Sequence, residues 1–312
     1  MRRRSAVQTL AVAGAVSFFS RLPASGPQEV PPEFVIHSDV RLVVLDVSVT
    51  DRRGGFVTGL TRDNFTVLED GELRRITVFA NEDIPVTVGI LVDESRSMLP
   101  KRNDVLSAAG TFIETSNPRD EIFVLNFNDV VKRGLPGHTL FSDNLEQLRT
   151  ALERGIPQGR TAFNDAVVEG LQQLALGRRD KKALVVISDG GDNASRRTRG
   201  EMFATVDRSI ATIYAVGLFD ADDQDRNPGI LRRLANVSGG EAFFPRSPSS
   251  MSAVCRGIAK EIRTRYTIGY GPPASHGALR HIEVRVSAPG RSGLRARTRT
   301  WYRYDELPRP RE

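Results

Sequence analysis

A chain of 312 residues that is 39% hydrophobic and 26% charged can bury one large core and a smaller second one, which excludes an extended, core-less polymer. The net charge is +6, but Arg2, Arg3, Arg4 and Arg21 fall within residues 1–24, which carry no acid; the remainder is near +2, too little to support a nucleic-acid-binding role. A single cysteine, Cys255, excludes an internal disulfide and a cysteine-based zinc site, and His37, His138, His276 and His281 are scattered without metal-ligand spacing.

Residues 1–24 read as an export signal. Three arginines precede an apolar run over residues 6–19, too short for an ordinary membrane span, and Leu22-Pro23-Ala24 offers a small residue at a cleavage point. The mature chain is then expected in the periplasm or outside the cell, with no membrane span of its own. The competing reading is an uncleaved N-terminal anchor.

Residues 34–82 follow a period of two and form a small β module. Residues 40–49 are a long β run, Asp51-Arg52-Arg53-Gly54-Gly55 is a turn, and Thr61 caps a single helical turn. Residues 65–69 and 73–79 are predicted to make a hairpin about Asp70-Gly71.

Over residues 85–264 strands alternate with helices. The predicted strands are 86–92, 121–127, 183–188 and 211–216, with a short one at 241–244 and an antiparallel edge strand at 131–135. The predicted helices are 102–115, 144–153, 162–175, 200–208, 227–237 and 249–263, the first entered through Pro100. Such alternation predicts an α/β fold: a doubly wound, mostly parallel, Rossmann-like sheet flanked by helices. From residue 265 to 304 the period returns to two, in strands at 266–270, around Ile282-Glu283-Val284, and around Leu294 to Thr298. Arg295, Arg297 and Arg299 alternate along the last of these and read as a solvated sheet face. Neither β segment is long enough for a good core alone, so the two are expected to pack together.

The chemistry is concentrated at strand ends. Asp93-Glu94-Ser95-Arg96-Ser97 is a D-x-S-x-S sequence where the apolar run V-T-V-G-I-L-V gives out. A carboxylate and two hydroxyls on alternate residues of a strand-to-loop turn can converge on a hard cation such as Mg²⁺, which takes oxygen ligands with few carboxylates, and ligands of open α/β sheets bind at this end of the strands. Thr161 puts another hydroxyl in a glycine-started loop ahead of a helix. Asp189 puts a second carboxylate at the end of the apolar run A-L-V-V-I-S.

This three-part set, in this order, resembles the metal-ion-dependent adhesion site of the von Willebrand factor A (VWFA) family. The flanks Val47-Ser48-Val49-Thr50-Asp51, Glu69-Asp70-Gly71 and Tyr266-Thr267-Ile268-Gly269-Tyr270 are similar to those of the VWFA-related proteins abundant in acidobacteria. The resemblance implies a metal site of Asp93, Ser95, Ser97, Thr161 and Asp189. Ser95 and Ser97 would ligate Mg²⁺ (or Mn²⁺ or Ca²⁺) directly, Thr161 directly or through water, and the two aspartates would supply charge and orient the hydroxyls. It also implies a partner protein whose Asp or Glu completes the shell. The family pattern has glycine immediately before the last serine; here Arg96 stands there and is expected to face solvent.

The expected function is that of an exported, non-enzymatic, metal-dependent protein-binding module of adhesion type. The alternatives are a metal-assisted hydrolase and a structural envelope protein with a bracing or vestigial metal site. Against the hydrolase, the chain has no G-x-S-x-G elbow, no H-E-x-x-H, no P-loop and no histidine near the motifs to act as base.

Overall fold

The computed structural model describes residues 42–219, 226–273 and 279–304. The export signal, the first residues of the N-terminal β run, His37, His276 and the C-terminal tail lie outside them. Among the described residues the strands and helices are, in chain order, β1 (Val43–Thr50), β2 (Phe65–Glu69), β3 (Glu72–Arg74), β4 (Val78–Ala80), β5 (Thr87–Asp93), α1 (Arg102–Thr115), β6 (Glu121–Phe127), β7 (Val131–Arg133), α2 (Leu145–Glu153) and α3 (Phe163–Ala175). There follow β8 (Lys182–Ser188), α4 (Arg199–Arg208), β9 (Thr212–Gly217), α5 (Pro228–Ser238), β10 (Ala242–Phe243), α6 (Pro248–Thr264), β11 (Tyr266–Tyr270), β12 (Leu279–Val286), β13 (Arg295–Arg297) and β14 (Trp301–Arg303).

The central sheet has the order β10-β9-β8-β5-β6-β7. All its pairings are parallel except that of β7, which runs antiparallel to β6 at the edge. Every residue of β5, β6 and β9 is buried, as expected of parallel strands covered on both faces. Helices α1, α2 and α6 pack as one group, and α3, α4 and α5 as another. This is the doubly wound α/β fold that the alternating pattern predicts. Pro100 belongs to a 3₁₀ turn, Arg96–Lys101, that precedes α1. Its locked φ suits a tight turn, and α1 starts only after it. Cys255 is fully buried in α6, where burial pushes its thiol up to about 12.

Strands from the two ends of the chain interleave in two four-stranded sheets, β13-β1-β11-β4 and β14-β12-β2-β3. Their side chains share a core that includes Leu45, Val67, Tyr266, Ile268 and Ile282. The Phe65 and Tyr266 rings lie 5.0 Å apart within it. The hairpin turn is built by Asp70 and Gly71 at φ 52° and 85°, the left-handed pair that a two-residue turn requires. Its second arm differs from expectation. It leaves β2 after Arg74, buries Ile76, and continues as β4 against β11 of the other sheet. The arginine ladder also differs. Arg297 pairs with Glu241 and Glu261, each at 2.8 Å, and Arg299 donates to the Ser209 carbonyl at 2.7 Å. Two of the three arginines are therefore half-buried links to the α/β region. Among the described residues no helix is long and apolar enough to cross a membrane.

Candidate metal centre

Parallel pairing of β5 with β8, in a register that sets Val92 opposite Ile187, brings Asp93 and Ser188 to the same edge of the sheet. The Ser188 hydroxyl donates to Asp93 Oδ2 at 2.6 Å, and the Ser95 N–H donates to Asp93 Oδ1 at 2.9 Å. Asp189 Oδ1 accepts from the Gly191 N–H at 2.8 Å, while its Oδ2 accepts from the Ser97 hydroxyl at 2.5 Å. The Ser95 and Ser97 hydroxyl oxygens are 3.1 Å apart. The loop can turn this sharply because Gly190 has φ 81°, and a Cβ there would meet the Asn227 carbonyl at 2.6 Å.

Asp93 and Asp189 are 2% and 1% exposed. Burial, reinforced by the Asp189 carboxylate, pushes Asp93 up to about 7 against the hydrogen bonds from Ser188 and Ser95. Among the described residues no lysine or arginine makes an ion pair with either aspartate. Two buried, neighbouring carboxylates without a basic partner call for a proton or a cation. The clustered oxygens of Ser95, Ser97 and Asp189 are the hard donors that Mg²⁺ prefers, so the residues present fit such an ion. Among the described residues no group of three or more His, Cys, Asp or Glu comes together, and the donors here are two aspartates and hydroxyls.

Thr161 is brought to this edge by its loop. The Arg96 N–H donates to the Gly159 carbonyl at 3.3 Å, and the Gln158 N–H to the Glu94 carbonyl at 2.9 Å. On the other side the Thr161 N–H donates to Asn193 Oδ1 at 2.8 Å, and the N–H groups of Asn193 and Ala194 both donate to the Thr161 carbonyl at 3.0 Å. Gly159, at φ 73°, leaves room for the Asp129 carboxylate, which pairs with Arg160 at 3.1 Å. Thr161 is 5% exposed. All three segments singled out by sequence therefore meet at one edge of the sheet.

Four contributors were not singled out. Ser188 fixes one oxygen of Asp93, and its signal is a hydroxyl closing an otherwise apolar run. Asp192 accepts from the first N–H groups of α3, at Phe163 and Asn164, and Asn193 anchors Thr161. The polar Asp192-Asn193-Ala194-Ser195 stretch is turn-forming chemistry that marks an ordered loop. Glu94 is the fourth. It is buried beside Arg102, Nε to Oε2 at 3.5 Å, and not beside Arg96, whose side chain is exposed. Burial raises Glu94 against the opposing attraction of Arg102.

Residues 88–191 match the von Willebrand factor type A domain model. No curated protein sequence matches the chain. Among solved structures, a von Willebrand factor type A protein from Catenulispora acidiphila is similar at 14% identity and a TM-score of 0.52, over 86% of this chain and 75% of that one, a likeness of fold. The conserved hypothetical protein BatB from Bacteroides thetaiotaomicron is similar at 18% identity and a TM-score of 0.45, over 56% of this chain and 98% of that one. The von Willebrand factor domain of the type V pili tip protein Mfa5 from Porphyromonas gingivalis is similar at 12% identity and a TM-score of 0.48, over 59% of this chain and 96% of that one. The stretch that begins on β5 and runs past Asp189 is thus similar to a von Willebrand factor type A domain.

Proposed function

We propose that this chain is an exported, non-enzymatic protein-binding module that captures an Asp or Glu side chain of a partner through a divalent cation, Mg²⁺ in the first instance and Mn²⁺ or Ca²⁺ as alternatives. The observation that carries the reading is the convergence of the Ser95 and Ser97 hydroxyls and the Asp189 carboxylate beside buried Asp93, with no basic side chain paired to either acid among the described residues. The match of residues 88–191 to the von Willebrand factor type A domain supports a role in protein–protein interaction. The arginine-led apolar run within residues 1–24 supports export.

Ser95, Ser97 and Thr161 would hold the ion through hydroxyl oxygens, with Asp93 and Asp189 supplying charge. The ion, when bound, supplies an electrophilic point for an anionic oxygen. Neutral hydroxyls quench its charge less than carboxylates would, so a partner carboxylate is attracted strongly in this partly dry site.

Calorimetric titration of Mg²⁺ and Mn²⁺ into the purified protein, beside a Ser95→Ala/Ser97→Ala variant, tests the reading. Binding at one site in the parent, lost in the variant, is the expected result. No heat of binding in the parent would overturn it in favour of a structural protein with a vestigial site.

A further inference from the structure

Immediately beyond Asp189 the surface opens into a polar groove of about 630 Å³ between the starts of α3, α4 and α5. Gly190 and Gly191 form its end nearest the metal centre, and Asn164, Arg196 and Arg199 line it. The acids around it are already engaged. Asp192 accepts from Phe163 and from Asn164, and Asp165 accepts the Arg196 and Arg197 N–H groups and pairs with the Arg197 side chain at 3.2 Å. Arg196 and Arg199 are exposed and have no carboxylate partner among the described residues.

Asn164 supplies a second, independent sign of a ligand. It is 4% exposed, and its Nδ2 donates to Asp192 Oδ2 at 2.5 Å and to the Arg197 carbonyl at 3.2 Å. Its Oδ1 is buried without a hydrogen-bond partner. A buried acceptor left unpaired is costly, and one lining a groove is served when a donor arrives with an occupant.

We propose that this groove is the second half of the partner site, and that the partner is an acidic peptide segment rather than a single exposed carboxylate. One acid meets the cation, further acids pair with Arg196 and Arg199, and a backbone N–H of the segment donates to Asn164 Oδ1. Arginine's planar fork suits carboxylates. The inference rests on the cation-mediated reading above.

The test uses the full chain and three glycine-based heptapeptides: one with a central Asp, and two with three Glu added before or after that Asp. Affinities are measured in Mg²⁺ and in EDTA, for the parent, the Arg196→Ala/Arg199→Ala variant and the Ser95→Ala/Ser97→Ala variant. One Glu-rich peptide is expected to bind about tenfold more tightly than the single-Asp peptide, since exposed ion pairs each contribute only a few-fold. That preference should vanish in the arginine variant, while the Mg²⁺-dependent affinity for the single-Asp peptide persists. Both arginine side chains are exposed, and the Arg196 N–H that serves Asp165 is retained, so the variant is expected to fold. Equal affinity for all peptides, a preference that survives the arginine variant, or no binding at all would overturn the proposal. Binding that ignores EDTA and the serine variant but loses its acidic preference in the arginine variant would sink the metal reading alone and leave the groove standing.

Discussion

The Arg265 guanidinium donates to the Tyr214 hydroxyl at 2.9 Å, across the boundary between the α/β domain and the β module. Arg265 is the single residue between α6 and β11, so it stands where the chain passes from one core to the other. Tyr214 in turn donates to Glu261 at 3.0 Å, and Arg265 also donates to the carbonyls of Asp46 and Gly239 at 2.8 and 3.0 Å. Glu261 receives Arg297 of β13 at 2.8 Å as well. The network surrounds a buried positive charge with one acid, a phenol and two backbone carbonyls, and leaves only its Nε without a hydrogen-bond partner.

Removing Arg265 takes a donor from the Tyr214 oxygen and from the two carbonyls in a dry interface, while Glu261 keeps Tyr214 and Arg297; at about 1–3 kcal/mol per buried acceptor left unpaired, the cost is about 2–5 kcal/mol. Arg265→Ala is therefore expected to lower unfolding stability by that amount, and to split a single urea transition into two as the modules separate. Denaturation followed by Trp301 fluorescence, which reports the β module, and by far-ultraviolet dichroism, which is dominated by the helices, checks this. A loss under about 1 kcal/mol with coincident transitions would show that the network does not couple the modules.

Asp120 gives a pH prediction at the opposite end of the sheet from the candidate site. It accepts the Val86 N–H at 2.7 Å and the Asn117 N–H at 3.0 Å, and burial, helped by nearby Asp83, pushes it up to about 6 from 3.8. Because the folded value is the higher one, the native state binds more protons than the unfolded chain between these two values. Stability from this group is then greatest at low pH, falls as pH rises through that window, and is flat above it. Asp120→Asn removes the titration. The parent-minus-variant difference in denaturation midpoint should shrink from pH 4 to pH 6 and then level off. A difference that grows with pH over that interval would reverse the sign of the argument.

Much of this was legible in the sequence, for reasons that differ from element to element. Strand 121–127 and helix 102–115 were bounded correctly because Asn117-Pro118 and the apolar period punctuate them locally. The three segments that converge at the candidate site were legible because strand-end carboxylates and hydroxyls carry their meaning in short spacings. What could not be read was long-range. Nothing near Arg297 announces that Glu261, in another element, will pair with it, so the alternation alone suggested a solvated face. Ile76 reads as one more residue of a hairpin arm, and only the presence of a second sheet makes it the point where the chain crosses over. Ser188 was hidden because its partner, Asp93, lies 95 positions away.

Gly89 sits in the middle of β5, where a side chain would have no room. A Cβ there would lie 2.4 Å from Phe123 Cζ and 2.7 Å from Leu184 Cδ1. Overpacking of a tight core costs about 1–3 kcal/mol, and this strand ends in Asp93. Gly89→Ala is expected to lower the urea midpoint accordingly. Phe123→Leu in the same chain should recover part of the loss, a coupling that a double-mutant cycle would register. Additive effects of the two substitutions would mean that the neighbouring strands yield without strain.

Arg96 departs from the glycine of the family pattern, yet the backbone does not require glycine there. Among the described residues Asp70 is the only non-glycine with positive φ, so Arg96 holds an ordinary conformation. Its N–H still reaches the Gly159 carbonyl, and its exposed side chain makes no ion pair with Glu94, which faces Arg102 instead. A solvated guanidinium would be screened from the cation proposed to bind among Ser95, Ser97 and Asp189. Arg96→Gly should therefore leave Mg²⁺ affinity within about twofold, while costing roughly 0.5–1 kcal/mol of stability through the added freedom of the unfolded chain. Titration of the variant beside the parent at low and at moderate salt decides the matter. A tenfold gain in affinity that fades with salt would mean that the charge reaches the site and that this chain has been tuned toward weaker metal binding.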